Sequence, residues 1–135
     1  MRQSDRLPEG FSLVELMLVV TIVAILALVA LPLYQARATA AKMTEGITGV
    51  GMIRTTLRTH AAGNGGVYPV LAGVSGSDLD SLGIEGTDLD GKYFRSGDYI
   101  VTSTASDYTV RVTLPTETSY WYEVDAAGNE TRSGF

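Results

Sequence analysis

The chain begins with an apolar block that stands apart from everything after it. From Phe11 to Leu31 only Ser12, Glu15 and Thr21 are polar, and Glu15 is the one ionisable residue. About twenty helical residues at roughly 1.5 Å each are enough to cross a hydrocarbon core about 30 Å thick. The block therefore predicts either a transmembrane helix or the apolar core of a secretion signal.

Beyond Pro32 the apolar residues recur every three or four positions, which predicts that an amphipathic helix continues. Pro32 removes one backbone donor, so we expect it to kink the helix rather than end it. The apolar face is expected to hold Ala36, Ala40, Met43, Ile47, Val50, Ile53 and Leu57. The solvated face is expected to hold Arg37, Thr39, Lys42, Thr44, Glu45, Thr48 and Arg54.

Glycines interrupt the second half of this helix. Gly46, Gly49 and Gly51 should each weaken it by about 1 kcal/mol relative to alanine. This half of the helix therefore needs another element to pack against. A cluster of helix-ending residues at Ala61 to Gly66 predicts where it stops.

In the last third of the chain the apolar pattern changes to a period of two. Three segments alternate between apolar and polar residues and are rich in β-branched and aromatic side chains. They are Tyr99–Thr104, Tyr108–Leu114 and Tyr120–Asp125. The sequences TASD and DAAGNE that follow the first and third segments predict hairpin turns. Three or four antiparallel strands would form a sheet with one apolar face, which the helix can cover. We therefore predict an α+β fold, a long N-terminal helix packed on a C-terminal antiparallel sheet.

The segment between helix and sheet is turn-rich and acidic. It repeats one pattern, Gly-Ser-Asp-Leu-Asp at 76–80 and Gly-Thr-Asp-Leu-Asp at 86–90. A calcium loop of the EF type fits poorly, because Leu82 occupies a position that should hold a ligand. A short helix capped by Ser77 or Asp78 and stopped at Gly83 is the favoured interpretation, and calcium stays open.

Composition argues against several classes of function. The net charge is −5, and the basic residues are scattered rather than clustered, so nucleic acid is not expected as the main partner. The chain has no cysteine and a single histidine, His60, and no G-x-S-x-G nucleophile motif. We therefore predict a protein without catalytic residues, metal ligands or cofactor.

Before any family is considered, a cleaved signal peptide remains an alternative for the apolar block. Arg2 and Arg6 form a basic start, and Ala36-Arg37-Ala38 resembles a cleavage site. However, the apolar run exceeds the usual signal core of about 7–15 residues. The charge of Glu15 inside that run would also serve no purpose in a plain export signal.

The sequence GFSLVELMLVVTIVAILALVALPLYQARATAA resembles the N-terminal segment of type IV pilins and of the related type II secretion pseudopilins. Gly10-Phe11-Ser12-Leu13-Val14-Glu15 matches the prepilin peptidase cleavage and N-methylation motif. Pro32-Leu33-Tyr34-Gln35 matches the family's proline and following aromatic residue. This resemblance displaces the ordinary signal-peptide interpretation.

The resemblance implies a processing site and an assembly site. A prepilin peptidase would cut between Gly10 and Phe11 and methylate the new amine of Phe11, so residues 1–10 would be a leader. Assembly would depend on Phe11, Glu15 and Pro32. In a filament of copies of the chain, Glu15 would pair with the N-terminal amine of a neighbouring copy. An unpaired carboxylate in an apolar layer costs about 3 kcal/mol, so this pairing would favour the correct axial offset between copies.

The resemblance also implies a domain organisation and a location. Residues 11–33 would form the transmembrane and filament-core half of the helix, 34–62 the amphipathic half, and 63–135 the sheet region. The chain would lie in the lipid of a bacterial inner membrane, N-terminus in the cytoplasm, until an inner-membrane assembly platform adds it to an extracellular pilus. A pseudopilin of a secretion or DNA-uptake machine, and a membrane-tethered binding module that never polymerises, remain alternatives.

Overall fold

The computed structural model describes residues 10–135 of the chain. One long helix, α1 (Leu13–Gly63), precedes five strands: β1 (Leu71–Ser75), β2 (Tyr99–Ser103), β3 (Tyr108–Thr113), β4 (Trp121–Asp125) and β5 (Glu130–Ser133). The strands form one antiparallel sheet in the order β1-β2-β3-β4-β5. The predicted α+β fold is confirmed.

By their contacts the residues separate into two units, one ending at Arg37 and the other spanning Ala38–Phe135. The first unit contains the apolar block, and α1 continues through Pro32 as predicted. The predicted leader lies outside the described residues except for Gly10. The predicted domain bounds, including the division of the helix after residue 33, stay a prediction.

The second unit is held together by one core between α1 and the inner face of the sheet. Val101, Val110 and Val124 lie side by side on β2, β3 and β4 and are each 0% exposed. From α1 the unit buries Thr39, Met43, Gly46, Val50, Ile53, Leu57 and Ala61.

The apolar stripe of α1 differs from the predicted one in three respects. Ala36 is exposed, whereas Thr39, placed on the solvated face, is buried at 7% exposure. Gly46 is also buried, because the ring of Phe94 occupies the place of a side chain: an added Cβ would lie 2.9 Å from Phe94 Cζ. Gly46 therefore permits close packing, in addition to weakening the helix.

Two strands and one cap were not predicted. In β1 the register shifts beside Gly73, whose φ of 67° breaks the alternation of a regular strand. The four residues of β5 are nearly all exposed and polar, as on many edge strands, so they lack an apolar period. The predicted helix before Gly83 is two short 3-10 helices, and its cap is Ser75 rather than Ser77 or Asp78.

Candidate assembly site

The start of α1 holds Glu15 in its first turn. The Ser12 carbonyl accepts the first helical hydrogen bond, from Leu16 N at 3.1 Å. Gly10 and Phe11 precede the helix, and both are exposed, Phe11 at 76%. The free N–H groups of a first helical turn favour a nearby anion. The helix end therefore suits an acidic residue at this position but supplies no side-chain partner for Glu15.

The carboxylate of Glu15 has no partner within the described part of the chain. The ion pairs among residues 10–135 are Arg95–Asp90 at 3.8 Å and Arg111–Glu123 at 2.8 Å. Ser12 and Glu15 have the spacing of a capping box, but no side-chain hydrogen bond joins them in the described residues. Any ion pair to this carboxylate must therefore come from outside residues 10–135.

An apolar surface surrounds this carboxylate. The large apolar side chains from Leu13 to Leu33 are 47–76% exposed, and the most apolar window has a mean hydropathy of 3.0 with none of it buried. A helix in the core of a soluble protein would bury such side chains. Thr21 adds no free donor, because its hydroxyl donates to the Met17 carbonyl at 2.8 Å. The segment therefore has the length and surface of a membrane span.

The predicted assembly residues do not form one cluster. Phe11 lies two residues before α1, and Glu15 lies in its first turn, four residues further along the chain. Pro32 is inside the same helix, seventeen residues after Glu15, which is about 25 Å along a helix. Pro32 can therefore act on helix shape or packing, but it does not contact the carboxylate of its own chain.

A second helical carboxylate, Glu45, has the opposite surroundings. Its Oε1 accepts backbone hydrogen bonds from Tyr93 N at 2.8 Å and Phe94 N at 3.0 Å. Partial burial raises the pKa of Glu45, but these donors and the charge of Lys92 outweigh it, and the net pKa is lowered. Sequence reasoning placed Glu45 on the solvated face, and no local pattern indicated its contacts, because its donors come from residues 48 and 49 positions further along the chain.

Two carboxylates of the acidic repeat accept backbone hydrogen bonds at the starts of short helices. Asp88 Oδ2 accepts from Glu85 N at 2.9 Å, and Asp90 Oδ1 accepts from Ser96 N at 2.9 Å. No group of three or more carboxylate or imidazole side chains suited to a metal occurs among the residues the structure describes. A calcium site in this segment is not supported by this geometry.

The single histidine has an amide neighbour. His60 Nδ1 lies 3.4 Å from Asn64 Nδ2 in an open groove of 420 Å³ whose lining includes three threonines. A general base needs the proton of a nucleophile within hydrogen-bond reach. No such arrangement is formed around His60 in the described structure.

Comparison with known proteins shows what the chain, and its apolar helix in particular, is similar to. Residues 8–31 match the family model described as the prokaryotic N-terminal methylation motif. The chain is 36% identical over 110 residues to a fimbrial protein of Neisseria meningitidis serogroup A / serotype 4A. That alignment covers 78% of this chain and 60% of the relative, so the chain spans about three fifths of the relative's length. No solved structure matches. Both sequence comparisons support the type IV pilin family.

Proposed function

We propose, from the premise that this is a type IV pilin-like chain, that it is a structural subunit of a bacterial pilus-like filament. Single copies would be anchored in the inner membrane by the helix formed by residues 11–33. They would then polymerise, with these helices packed together in a bundle. The observation that carries the proposal is the lone carboxylate of Glu15, without a partner in residues 10–135, at the start of an exposed apolar helix. The fimbrial relative favours a pilus over a secretion pseudopilus.

Processing would create the missing partner. Cleavage between Gly10 and Phe11 by a prepilin peptidase, followed by methylation, would leave a cationic amine one turn from Glu15. In a helix bundle the Glu15 carboxylate of one copy would pair with the Phe11 amine of the next. The methylation-motif match over residues 8–31 supports this assignment, as does the exposure of Gly10 and Phe11.

Replacing the carboxylate tests the proposal. Glu15→Leu removes a charge from an apolar layer, so the chain should still insert, be processed and fold. The neighbouring amine would lose its partner, at a cost of about 3–5 kcal/mol per contact if it stays charged and buried. Filaments should then disappear while the membrane pool of mature chain stays normal.

The measurement is filament yield by electron microscopy beside the amount of mature chain by immunoblot. Thr21→Val is the matched control, because it also removes a polar group from the apolar helix. The hydroxyl of Thr21 already donates to a carbonyl of the same helix, so it needs no partner from another copy. The control should assemble like wild type. Abundant filaments built from Glu15→Leu alone would refute the proposed role of the carboxylate.

A further inference from the structure

An acidic groove of 280 Å³ lies along one flank of α1, within the second unit. Glu45 lines it from the helix, and Asp88 and Asp90 line it from the facing loop. That loop, 76–91, carries five acidic residues; Lys92 follows it, and Arg95 lies 3.8 Å from Asp90, so among residues 10–135 Asp88 is the carboxylate of the loop side that has no cation beside it. The groove volume is several times the roughly 30 Å³ of one liquid water, so it has room for a long side chain.

A buried tyrosine hydroxyl also opens into this groove. Tyr99 is 1% exposed, and its hydroxyl lies against Gly49, which lines the groove with it. No hydrogen bond to this hydroxyl comes from the described residues. Tyr99 is one of the residues that line the groove, which places its hydroxyl at the groove wall.

The groove offers acceptors rather than donors. Glu45 Oε1 and Asp88 Oδ2 accept backbone N–H groups, and neither carboxylate accepts from a side-chain donor among residues 10–135. The lowered pKa of Glu45 keeps it ionised. Burial, then the charges of Glu45 and Asp98, raises the pKa of Tyr99 to about 12, so its hydroxyl stays neutral. Such a set of groups suits a cation with several N–H donors.

The opposite flank of α1 carries arginines. Arg54 lies nine residues after Glu45, and Arg58 lies nine residues after Gly49. Nine residues make two and a half helical turns, so each arginine lies on the side of the helix opposite to its groove residue. Arg54 is half-buried and donates to the Tyr108 hydroxyl at 3.4 Å. Arg58 is exposed and donates to the Ala126 carbonyl at 3.2 Å. Arg58 is therefore the arginine of this flank that is available to another molecule.

We propose that Arg58 of a second copy of this chain enters the acidic groove and donates to Glu45, Asp88 and the Tyr99 hydroxyl. A molecule with an acidic flank and a basic flank on opposite sides of one helix associates head to tail. Such a heterologous contact leaves both outer flanks free, so it can repeat without closing into a dimer. The inference deepens the proposed filament function and rests on it.

A charge swap at two exposed positions tests the contact in the full chain. Met52 lines the groove and is 44% exposed, so Met52→Lys places a competing cation there without disturbing the core. Met52→Lys and Arg58→Glu should each lower filament yield by at least about tenfold, because like charges would face each other across the contact. The double variant restores opposite charges and should recover most of the yield. Met52→Gln, of similar length and neutral, should assemble normally.

Disulfide cross-linking locates the contact directly. The natural chain has no cysteine, and Met52→Cys with Ala62→Cys places thiols beside the groove and one turn from Arg58. Ten residues apart on one helix, about 15 Å, these thiols cannot bond within one copy. Oxidised filaments should yield a ladder of cross-linked chains, and each single-cysteine variant should yield at most a dimer.

The outcomes separate this contact from the proposed function. Wild-type filaments without a ladder, together with failure of the charge swap to rescue, would overturn the Arg58 contact and leave the pilus function standing. Absence of filaments from the wild-type chain itself would overturn both.

Discussion

Gly49 and Gly51 lie two residues apart in α1, and replacing each by alanine should change the free energy of unfolding in opposite directions. Either replacement improves helix propensity by about 1 kcal/mol. At Gly51 an added Cβ meets nothing within 4 Å. Gly51→Ala should therefore stabilise the second unit by about 1 kcal/mol.

At Gly49 the same methyl group collides with the core. Its Cβ would lie 2.6 Å from Tyr99 Cζ and 2.7 Å from Cε1, far inside ordinary contact. Tyr99 is 1% exposed and packs beside Phe94, with ring centroids 6.3 Å apart, so its ring has little freedom to move. Overpacking costs about 1–3 kcal/mol. After the gain in propensity, Gly49→Ala should destabilise by about 1 kcal/mol, so the two variants should differ by about 2 kcal/mol.

Urea unfolding of the full chain in detergent micelles measures this difference. Trp121 is the only tryptophan, and it lies on β4 in the second unit, so its fluorescence reports on the sheet and its packing. The midpoint should move up for Gly51→Ala and down for Gly49→Ala at an unchanged slope. Equal upward shifts for both variants would show that Tyr99 does not hold Gly49 in close contact.

Three further predictions concern processing, autonomy and acid sensitivity. Gly10→Val should leave an unprocessed precursor, because a branched side chain would block the cleavage site; intact mass decides, and a mature mass would contradict it. A fragment of residues 36–135 should fold as a monomer with mixed helix and strand content by circular dichroism; an unstructured spectrum would contradict it. The pKa of Glu45 is lowered from 4.5 in the folded chain, so its stabilising contribution is complete above pH 4.5 and is lost as pH falls through the lower folded value. In Glu45→Gln the urea midpoint should fall less steeply with decreasing pH than in the wild-type chain. The same dependence of the midpoint on pH in both chains would contradict this role of Glu45.

The sequence predicted what depends on a repeated pattern. The helix ends at Gly63, inside the predicted stop, and the three alternating segments became β2, β3 and β4. An apolar period of two or of 3.6 residues is read from many positions together, so a single residue that departs from it does not change the predicted element. The strands β1 and β5 were not predicted because neither has a regular apolar period: β1 contains a register shift, and β5 is polar along its length.

Single contacts between distant residues could not be predicted in this way. Gly46 and Gly49 carry the same local signal as Gly51, yet only the first two lie against aromatic rings, those of Phe94 and Tyr99. Those rings reach α1 from about fifty residues further along the chain. Sequence alone assigned all three glycines the same destabilising effect, and tertiary packing distinguishes them.

The two carboxylates of α1 show how the same residue type acquires different roles. Glu45 receives two backbone donors from its own fold, so it contributes to the stability of the second unit within a single copy. Glu15 receives none from residues 10–135, and its surroundings are exposed apolar side chains. A membrane or a helix bundle would make that lone charge costly unless a cation pairs with it. Glu45 therefore contributes to the folding of each copy, whereas the proposed role of Glu15 lies in assembly, where the amine of a second copy would pair with it.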